Sequence, residues 1–187
     1  MNKDEKIFRV AYIDNNDYVN GCDEGLCISI WFQGCPHRCP GCHNSHTWNF
    51  EDGIEMTNEE LLESIFTHIK DNGILRNISI LGGEPLCKEN INATLYIINN
   101  FYEKYHDLSK IFLWTGYTME EIKNTMPKDV LKTLTKVDLL ITDRFEVNKM
   151  DHSLRFRGSS KQRVWKSKKG FFGRKLINIT KTITNID

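Results

Sequence analysis

Several features that would point to a membrane, secreted or nucleic-acid-binding protein are missing from this sequence of 187 residues. No apolar run reaches the ~20 residues that a transmembrane helix needs, and residues 1–6 do not form a signal peptide. We therefore expect a cytoplasmic protein without membrane association. The net charge is zero and no nucleic-acid-binding motif is present, which argues against a nucleic-acid partner.

The composition is that of a globular protein, with 40% hydrophobic and 27% charged residues. Internal repeats and low-complexity stretches are also absent from the sequence. At this length the chain is able to bury a sizeable core, and we predict a single domain over residues 1–187.

The charges are unevenly distributed along the chain. Residues 152–186 contain ten Lys or Arg and no acid, which leaves 15 basic and 25 acidic residues elsewhere. We predict that this basic segment, about 152–187, forms an appended hairpin or tail. It either docks on an acidic partner or is a solvated basic surface, and the sequence leaves both open.

Three of the six cysteines lie close together in one segment, Cys35-Pro36-His37-Arg38-Cys39-Pro40-Gly41-Cys42. The spacing is C-x3-C-x2-C, and a single loop can bring these three thiolates to one inorganic centre. In a cytoplasmic chain such cysteines favour metal or catalytic use over disulfides. We expect the other three, Cys22, Cys27 and Cys87, to be free thiols.

Two kinds of metal centre fit this cysteine loop (residues 35–42). A four-iron cluster is held by cysteine thiolates, and three of them leave one iron open to a substrate. The alternative is a structural zinc site, formed by the three cysteines with His37, His43 or His46. The spacing favours iron–sulfur but leaves the zinc alternative open.

A second motif, Gly82-Gly83-Glu84-Pro85, follows a short apolar run at residues 78–81 that is typical of a strand. Two glycines at a strand end free backbone groups to bind a small polar ligand, and the proline stops the strand. Alone, such a turn is more often a plain loop. Together with the cysteine loop, it resembles the radical S-adenosylmethionine (SAM) superfamily.

Further segments resemble one family in that group, the activating proteins of anaerobic ribonucleotide reductase. In the family's order, they are residues 32–44, 47–48, 82–86, 114–118, 137–140 and 157–163. Some positions depart from the family's pattern: Leu81 stands where Ser is common, Thr142-Asp143 where Asp-Gly is common, and Lys161 where Asn is usual. These departures bear more on individual contacts than on the reaction class.

The resemblance implies a set of site residues. Cys35, Cys39 and Cys42 would hold a 4Fe-4S cluster whose open fourth iron takes SAM. Gly82, Gly83 and Glu84 would face the methionine group of SAM, and the backbone of Gly41, Cys42 and His43 would lie against its adenine. Thr115 would contact the ribose or the carboxylate, or would instead close a turn at a strand end.

The implied reaction is the reductive cleavage of SAM to a 5′-deoxyadenosyl radical. That radical takes a hydrogen atom from a glycine of the reductase large subunit and leaves a glycyl radical. The partners would be this subunit and a one-electron donor such as flavodoxin, and no catalytic residue is needed beyond the cluster ligands. The alternatives are another glycyl-radical activase, a 7-carboxy-7-deazaguanine synthase, or a non-catalytic zinc module.

Strand and helix patterns alternate along the chain and predict an α/β fold. Strands are expected at 7–13, 27–32, 78–81, 111–114 and 139–141, and a final hairpin in the basic segment. Helices are expected after the capping boxes that begin at Thr57 and Thr118, and over residues 90–105 with Ile91, Leu95, Ile98, Tyr102 and Tyr105 buried. We predict a partial, open radical-SAM-type (β/α) barrel with a mostly parallel sheet, and a site at the carboxyl ends of its strands.

Overall fold

The structure, a computed structural model, describes residues 7–171 and 173–183. Residues 1–6, on which the expectation of no signal peptide rests, and the parts of the basic segment at 172 and 184–187 lie outside the described residues. The strands are β1 (Phe8–Asp17), β2 (Cys27–Phe32), β3 (Ile54–Met56), β4 (Asn77–Gly82), β5 (Ile111–Trp114), β6 (Leu139–Thr142), β7 (Arg163–Gly170) and β8 (Gly173–Asn178). The helices are α1 (Asn58–His68), α2 (Ile91–Tyr105), α3 (Met119–Thr125) and α4 (Lys128–Leu134).

Within these ranges the strands form one sheet in the order β3-β1-β2-β4-β5-β6-β7-β8. The four central strands, β2, β4, β5 and β6, pair in parallel, and antiparallel strands flank them on both sides. The predicted open α/β sheet is confirmed. Strand β3 was not predicted, because three residues, two of them exposed, are too few for a strand pattern to be recognised.

Both capping boxes form as predicted and set the starts of two helices. The hydroxyl of Thr57 accepts the N–H of Glu60 at 3.2 Å, and the Glu60 carboxylate accepts the N–H of Thr57 at 2.8 Å. Thr118 and Glu121 repeat the same exchange at the start of α3, at 3.0 and 2.7 Å. These exchanges satisfy helix N–H groups that have no partner within the helix.

The buried face of α2 differs from the predicted stripe. Ile98 and Tyr105 are buried as expected, but Ile91, Leu95 and Tyr102 are only partly buried. The buried positions are Ala93, Thr94, Ile97, Ile98, Phe101 and Tyr105. The apolar residues of this helix span a wider arc than the face that is buried, so the 3.6-residue period alone leaves its orientation undecided. Packing against the sheet, α1 and α4 selects the face.

The two faces of the sheet are covered differently. The main core lies between one face and the four helices and includes Ile30, Ile80, Ile97 and Leu113. A smaller cluster lies on the opposite face and includes Phe112, Ile141 and Val164. Among the described residues no helix is long and apolar enough to cross a membrane.

Within the basic segment, β7 and β8 form a hairpin that continues the sheet beyond β6. Strand β7 pairs with β6, so that Arg163 lies opposite Thr142 and Lys166 opposite Leu139. The hairpin turn at Gly170 therefore lies beyond the amino end of β6, away from the strand ends that carry the cysteine loop.

Candidate active site

The cysteine loop begins where β2 ends and folds back on itself. Cys35 donates its N–H to the carbonyl of Trp48 at 3.2 Å, so the 3-10 turn Ser45–Thr47 packs beside the start of the loop. Within the loop, the N–H of Cys42 bonds to the carbonyl of Cys39 at 3.1 Å. The motif is thus a compact loop at the carboxyl end of a central strand.

All three motif thiols, Cys35, Cys39 and Cys42, line one cavity of about 510 Å³. Burial raises the pKa of Cys35 to about 11 and also raises the pKa of Cys39. Hydrogen bonds from the backbone N–H groups of His37 and Arg38 to the Cys35 sulfur act in the opposite direction. Buried thiols become thiolates when a bound metal supplies positive charge, so this donor set fits an iron–sulfur cluster.

The three thiols do not converge on a single point. In the part of the chain that the structure describes, no group of three His, Cys, Asp or Glu side chains is close enough to hold one metal ion. A zinc site needs four ligands around one ion, whereas the cysteines of a four-iron cluster bind different irons and lie further apart.

Two glycines at the end of β4 bring its backbone against the start of the cysteine loop. Gly82 has a φ of +100°, and a side chain there would lie 2.6 Å from the backbone nitrogen of Phe32. A side chain at Gly83 would collide with the carbonyl oxygen of Gly34. Both glycines line the cavity. They are required because no side chain fits between the two strand ends.

Glu84 is 1% exposed, and its carboxylate is a meeting point for three segments. Its Oε1 accepts the Thr115 hydroxyl at 2.6 Å and the N–H of Leu86 at 2.9 Å. Its Oε2 accepts the N–H of Gly116 at 2.7 Å and lies 3.0 Å from Nε2 of His37. The carboxylate thereby joins the cysteine loop to the ends of β4 and β5.

The residues predicted to face adenine are only partly brought together. Cys42 and His43 line the cavity, and the His43 ring packs edge-on against Phe145 with ring centres 5.6 Å apart. Gly41 lies away from the cavity, and a side chain there would lie 3.0 Å from Cγ2 of Val147. Its φ of +73° explains why the loop has glycine at this position.

Thr115 directly follows the last residue of β5 and lines the cavity. Its hydroxyl donates to Glu84 and accepts the N–H of Tyr117 at 3.2 Å. Of the two roles that the sequence allowed, this geometry supports closing the turn at the strand end.

Sequence reasoning missed a side-chain contact to the cysteine loop from Arg144, and the carboxylate of Glu121 that holds Arg144. Arg144 follows β6 and donates from Nε to Nδ1 of His37 at 3.2 Å. Its terminal nitrogens lie 2.9 and 3.1 Å from the two carboxylate oxygens of Glu121. Glu121 was predicted only as a capping residue, and no local pattern links Arg144 to a loop that precedes it by 107 positions.

The opposite wall of the cavity comes from loops to which the sequence assigned no site. Cys22 is a free thiol, as predicted, but it lines the cavity. Arg155 and Asp23 form an ion pair, which links the loop before β2 to the loop before β7. Trp31 and Trp48 also line the cavity, and their buried indole N–H groups have no hydrogen-bond partner among the described residues.

An open α/β fold with three thiols at the carboxyl edge of its parallel strands fits an iron–sulfur protein. In agreement, residues 19–165 match the family described as "4Fe-4S single cluster domain". The chain is 34% identical over 152 residues to the "Anaerobic ribonucleoside-triphosphate reductase-activating protein" of Pasteurella multocida, covering 80% of this chain and 92% of that one. The protein of the same name from Enterobacteria phage T4 is 34% identical over 158 residues, 82% of this chain and 91% of the relative.

The chain belongs to the family of anaerobic ribonucleoside-triphosphate reductase-activating proteins, which confirms the resemblance drawn from its motifs. Among solved structures, QueE from Escherichia coli is similar with a TM-score of 0.41 and 20% sequence identity, over 60% of this chain and 53% of that one.

Proposed function

We propose that this protein activates an anaerobic ribonucleoside-triphosphate reductase by radical SAM chemistry. The observation that carries the proposal is the placement of Cys35, Cys39 and Cys42 on one cavity with Gly82 and Gly83. Cysteine thiolates suit iron–sulfur clusters, and exposed backbone groups at strand ends suit a small polar cofactor. The names of the relatives supply the substrate, a reductase.

When bound, the 4Fe-4S cluster and SAM would supply a 5′-deoxyadenosyl radical that takes a hydrogen atom from a glycine of the reductase. Cys35, Cys39 and Cys42 would hold the cluster. The backbone of Gly82 and Gly83 would face the methionine group of SAM, beside the carboxylate of Glu84. No residue of the chain has to act as a general base, because a hydrogen atom moves rather than a proton.

The remaining walls of the cavity orient the cofactor and keep water out. The backbone of Cys42 and His43 would lie against adenine, and Trp31 and Trp48 form another part of the lining. Apolar ring surface next to a few fixed donors is typical of a pocket for a nucleoside-containing ligand. Thr115 holds the turn that frames this pocket.

The proposal includes the reductase large subunit as partner and a one-electron donor such as flavodoxin. It also includes a cytoplasmic location, where the six free cysteines stay reduced. We treat residues 1–187 as one radical SAM domain in which the basic hairpin, β7 and β8, extends the sheet.

The test is an anaerobic reconstitution with iron and sulfide, followed by SAM, dithionite and the cognate reductase. We expect about four irons per chain, 5′-deoxyadenosine as product, and a glycyl radical signal on the reductase by electron paramagnetic resonance. Cys35→Ala should abolish the product. The matched control is Cys87→Ala, which removes a buried cysteine outside the loop and should retain the product.

The alternatives give different outcomes in the same experiment. Deoxyadenosine without a glycyl radical on the reductase would indicate another radical SAM reaction. Stoichiometric zinc without deoxyadenosine would leave a zinc module and overturn the proposal.

A further inference from the structure

A chain of side-chain hydrogen bonds runs from helix α3 into the cysteine loop. Glu121 holds the guanidinium of Arg144 with both carboxylate oxygens, at 2.9 and 3.1 Å. Arg144 reaches Nδ1 of His37 at 3.2 Å, and Nε2 of His37 lies 3.0 Å from Glu84. His37 is the second residue after Cys35, so the chain ends between two of the cluster ligands.

The direction of these hydrogen bonds follows from the chemistry of the donors. An arginine Nε–H only donates, so Nδ1 of His37 is the acceptor. Its Nε2 then carries the proton and donates to Glu84. The imidazole is therefore held from both sides in one tautomer and one ring orientation, and its side chain is 6% exposed.

The carboxylate of Glu84 is already occupied in this arrangement. A carboxylate offers about four acceptor positions, and Glu84 has four donors within hydrogen-bond distance, one of which is His37. The other three are groups of Leu86, Thr115 and Gly116, which anchor Glu84 to strand ends. Glu84 therefore acts on the cysteine loop through His37.

The loop needs such support, because its backbone is strained next to His37. Arg38 has a φ of +47°, a left-handed conformation that is unfavourable for a residue with a side chain. Conformations of this kind persist when surrounding contacts hold them. A side chain at Gly116 would lie 2.8 Å from Nε2 of His37, so the space for the imidazole is fully used.

We propose that His37, held between Arg144 and Glu84, is a positioning residue that keeps the cysteine loop in its cluster-binding shape. The inference rests on the proposed function for the identity of the bound group. The loop geometry that it explains belongs to the chain itself and can be tested without SAM.

The first experiment measures loop opening in the metal-free full-length chain by site-resolved iodoacetamide labelling. In His37→Leu, Cys39 and Cys42 should label about five- to tenfold faster, as expected when one or two hydrogen bonds that hold a local structure are lost. Cys27, which is fully buried, reports global unfolding and should not change. His68→Leu is the matched control, since that histidine also bonds a carboxylate, at 2.7 Å, but far from the loop.

Conservative variants separate positioning from general destabilisation. His37→Gln keeps one donor and one acceptor, and its labelling should return to within about twofold of wild type. Arg144→Lys keeps the positive charge near Cys39 but loses the fork and the Nε donor, so it should accelerate labelling as His37→Leu does. In reconstituted protein, His37→Leu and Arg144→Lys should also release iron to a chelator faster than wild type.

Unchanged labelling of Cys39 and Cys42 in His37→Leu would overturn the proposal. Equal acceleration at Cys27 would overturn it too, because the effect would then be global. If the labelling result holds but wild type forms no deoxyadenosine, the proposed function fails and the positioning role stands. If wild type forms deoxyadenosine but labelling is unchanged in His37→Leu, the proposed function stands and the positioning role fails.

Discussion

Gly25 and Gly82 share a φ of +100° but have different surroundings, so alanine at each position separates two costs of a side chain. Around Gly25 no atom lies within 4 Å of the added carbon. At Gly82 the added carbon would lie 2.6 Å from the nitrogen of Phe32 and 2.7 Å from the carbonyl carbon of Trp31. These are backbone atoms of β2, which cannot turn aside as a flexible side chain does.

The expected magnitudes follow from these contacts. Gly25→Ala should lower the free energy of unfolding by about 1–2 kcal/mol, the cost of a left-handed conformation. Gly82→Ala has the same cost and adds overpacking of about 1–3 kcal/mol, for a total of about 2–5 kcal/mol. Gly83→Ala provides the third comparison, because its φ is not left-handed and its clash with Gly34 is purely steric.

The assay is urea unfolding of the metal-free chain, with midpoints and slopes compared for the three variants. We expect Gly82→Ala to be the least stable of the three variants. If Gly82→Ala fails to fold while Gly25→Ala folds, that outcome also supports the reasoning. A Gly82→Ala variant as stable as Gly25→Ala would refute the reasoning. It would mean that the ends of β2 and β4 are not in close backbone contact.

Three further predictions concern charge and burial. Hydrogen bonds from Arg144 hold the pKa of Glu121 at about 2, below its ordinary 4.5, so the pair contributes stability above pH 4.5 that is lost as the pH falls towards 2. Because the Glu121 side chain is 34% exposed, Glu121→Gln should lower the free energy of unfolding by about 1 kcal/mol at pH 7 and not at all near pH 2. Urea unfolding measures this difference, and a difference that stays constant between pH 7 and pH 2 would contradict the assignment. Lys168 lies directly opposite Lys175 on the neighbouring strand. In thermal melts, Lys168→Glu should therefore raise the free energy of unfolding by about 0.2–1 kcal/mol, because two like charges are replaced by an opposite pair. If the double variant Lys168→Glu, Lys175→Glu kept the same gain, charge pairing would not be its cause. Arg76 is 2% exposed and makes five hydrogen bonds, which one ammonium group cannot replace. In urea unfolding, Arg76→Lys should therefore lower the free energy of unfolding by about 2–4 kcal/mol. A loss below about 1 kcal/mol would show that these hydrogen bonds contribute little to stability.

Local patterns predicted the elements that local chemistry controls. The capping boxes at Thr57 and Thr118 marked the starts of α1 and α3, because the residues that exchange hydrogen bonds are three positions apart. The apolar runs at Cys27–Phe32 and Ile111–Trp114 matched β2 and β5, since central parallel strands are buried on both faces. Neither signal required knowledge of neighbouring elements.

The orientation of α2 and the existence of β3 were not predictable in this way. Ile97 and Phe101 are buried in the core and Leu95 is only partly buried, although all three are large apolar residues. Strand β3 pairs with β1 at Phe8–Met56 and neighbouring positions, and its short exposed sequence carries no strand pattern. In both cases the deciding contacts come from residues distant in the chain.

The sequence by itself determined the cysteine loop, because its C-x3-C-x2-C spacing is a local property, and from that loop it predicted Cys35, Cys39 and Cys42 as cluster ligands. It also located Gly82 and Gly83 at a strand end. Only the tertiary structure decided that Gly41 lies away from the cavity and that Glu84 holds four donors. Hydrogen bonds between strand ends depend on which strands become neighbours in the sheet, and that is set by packing of the whole chain.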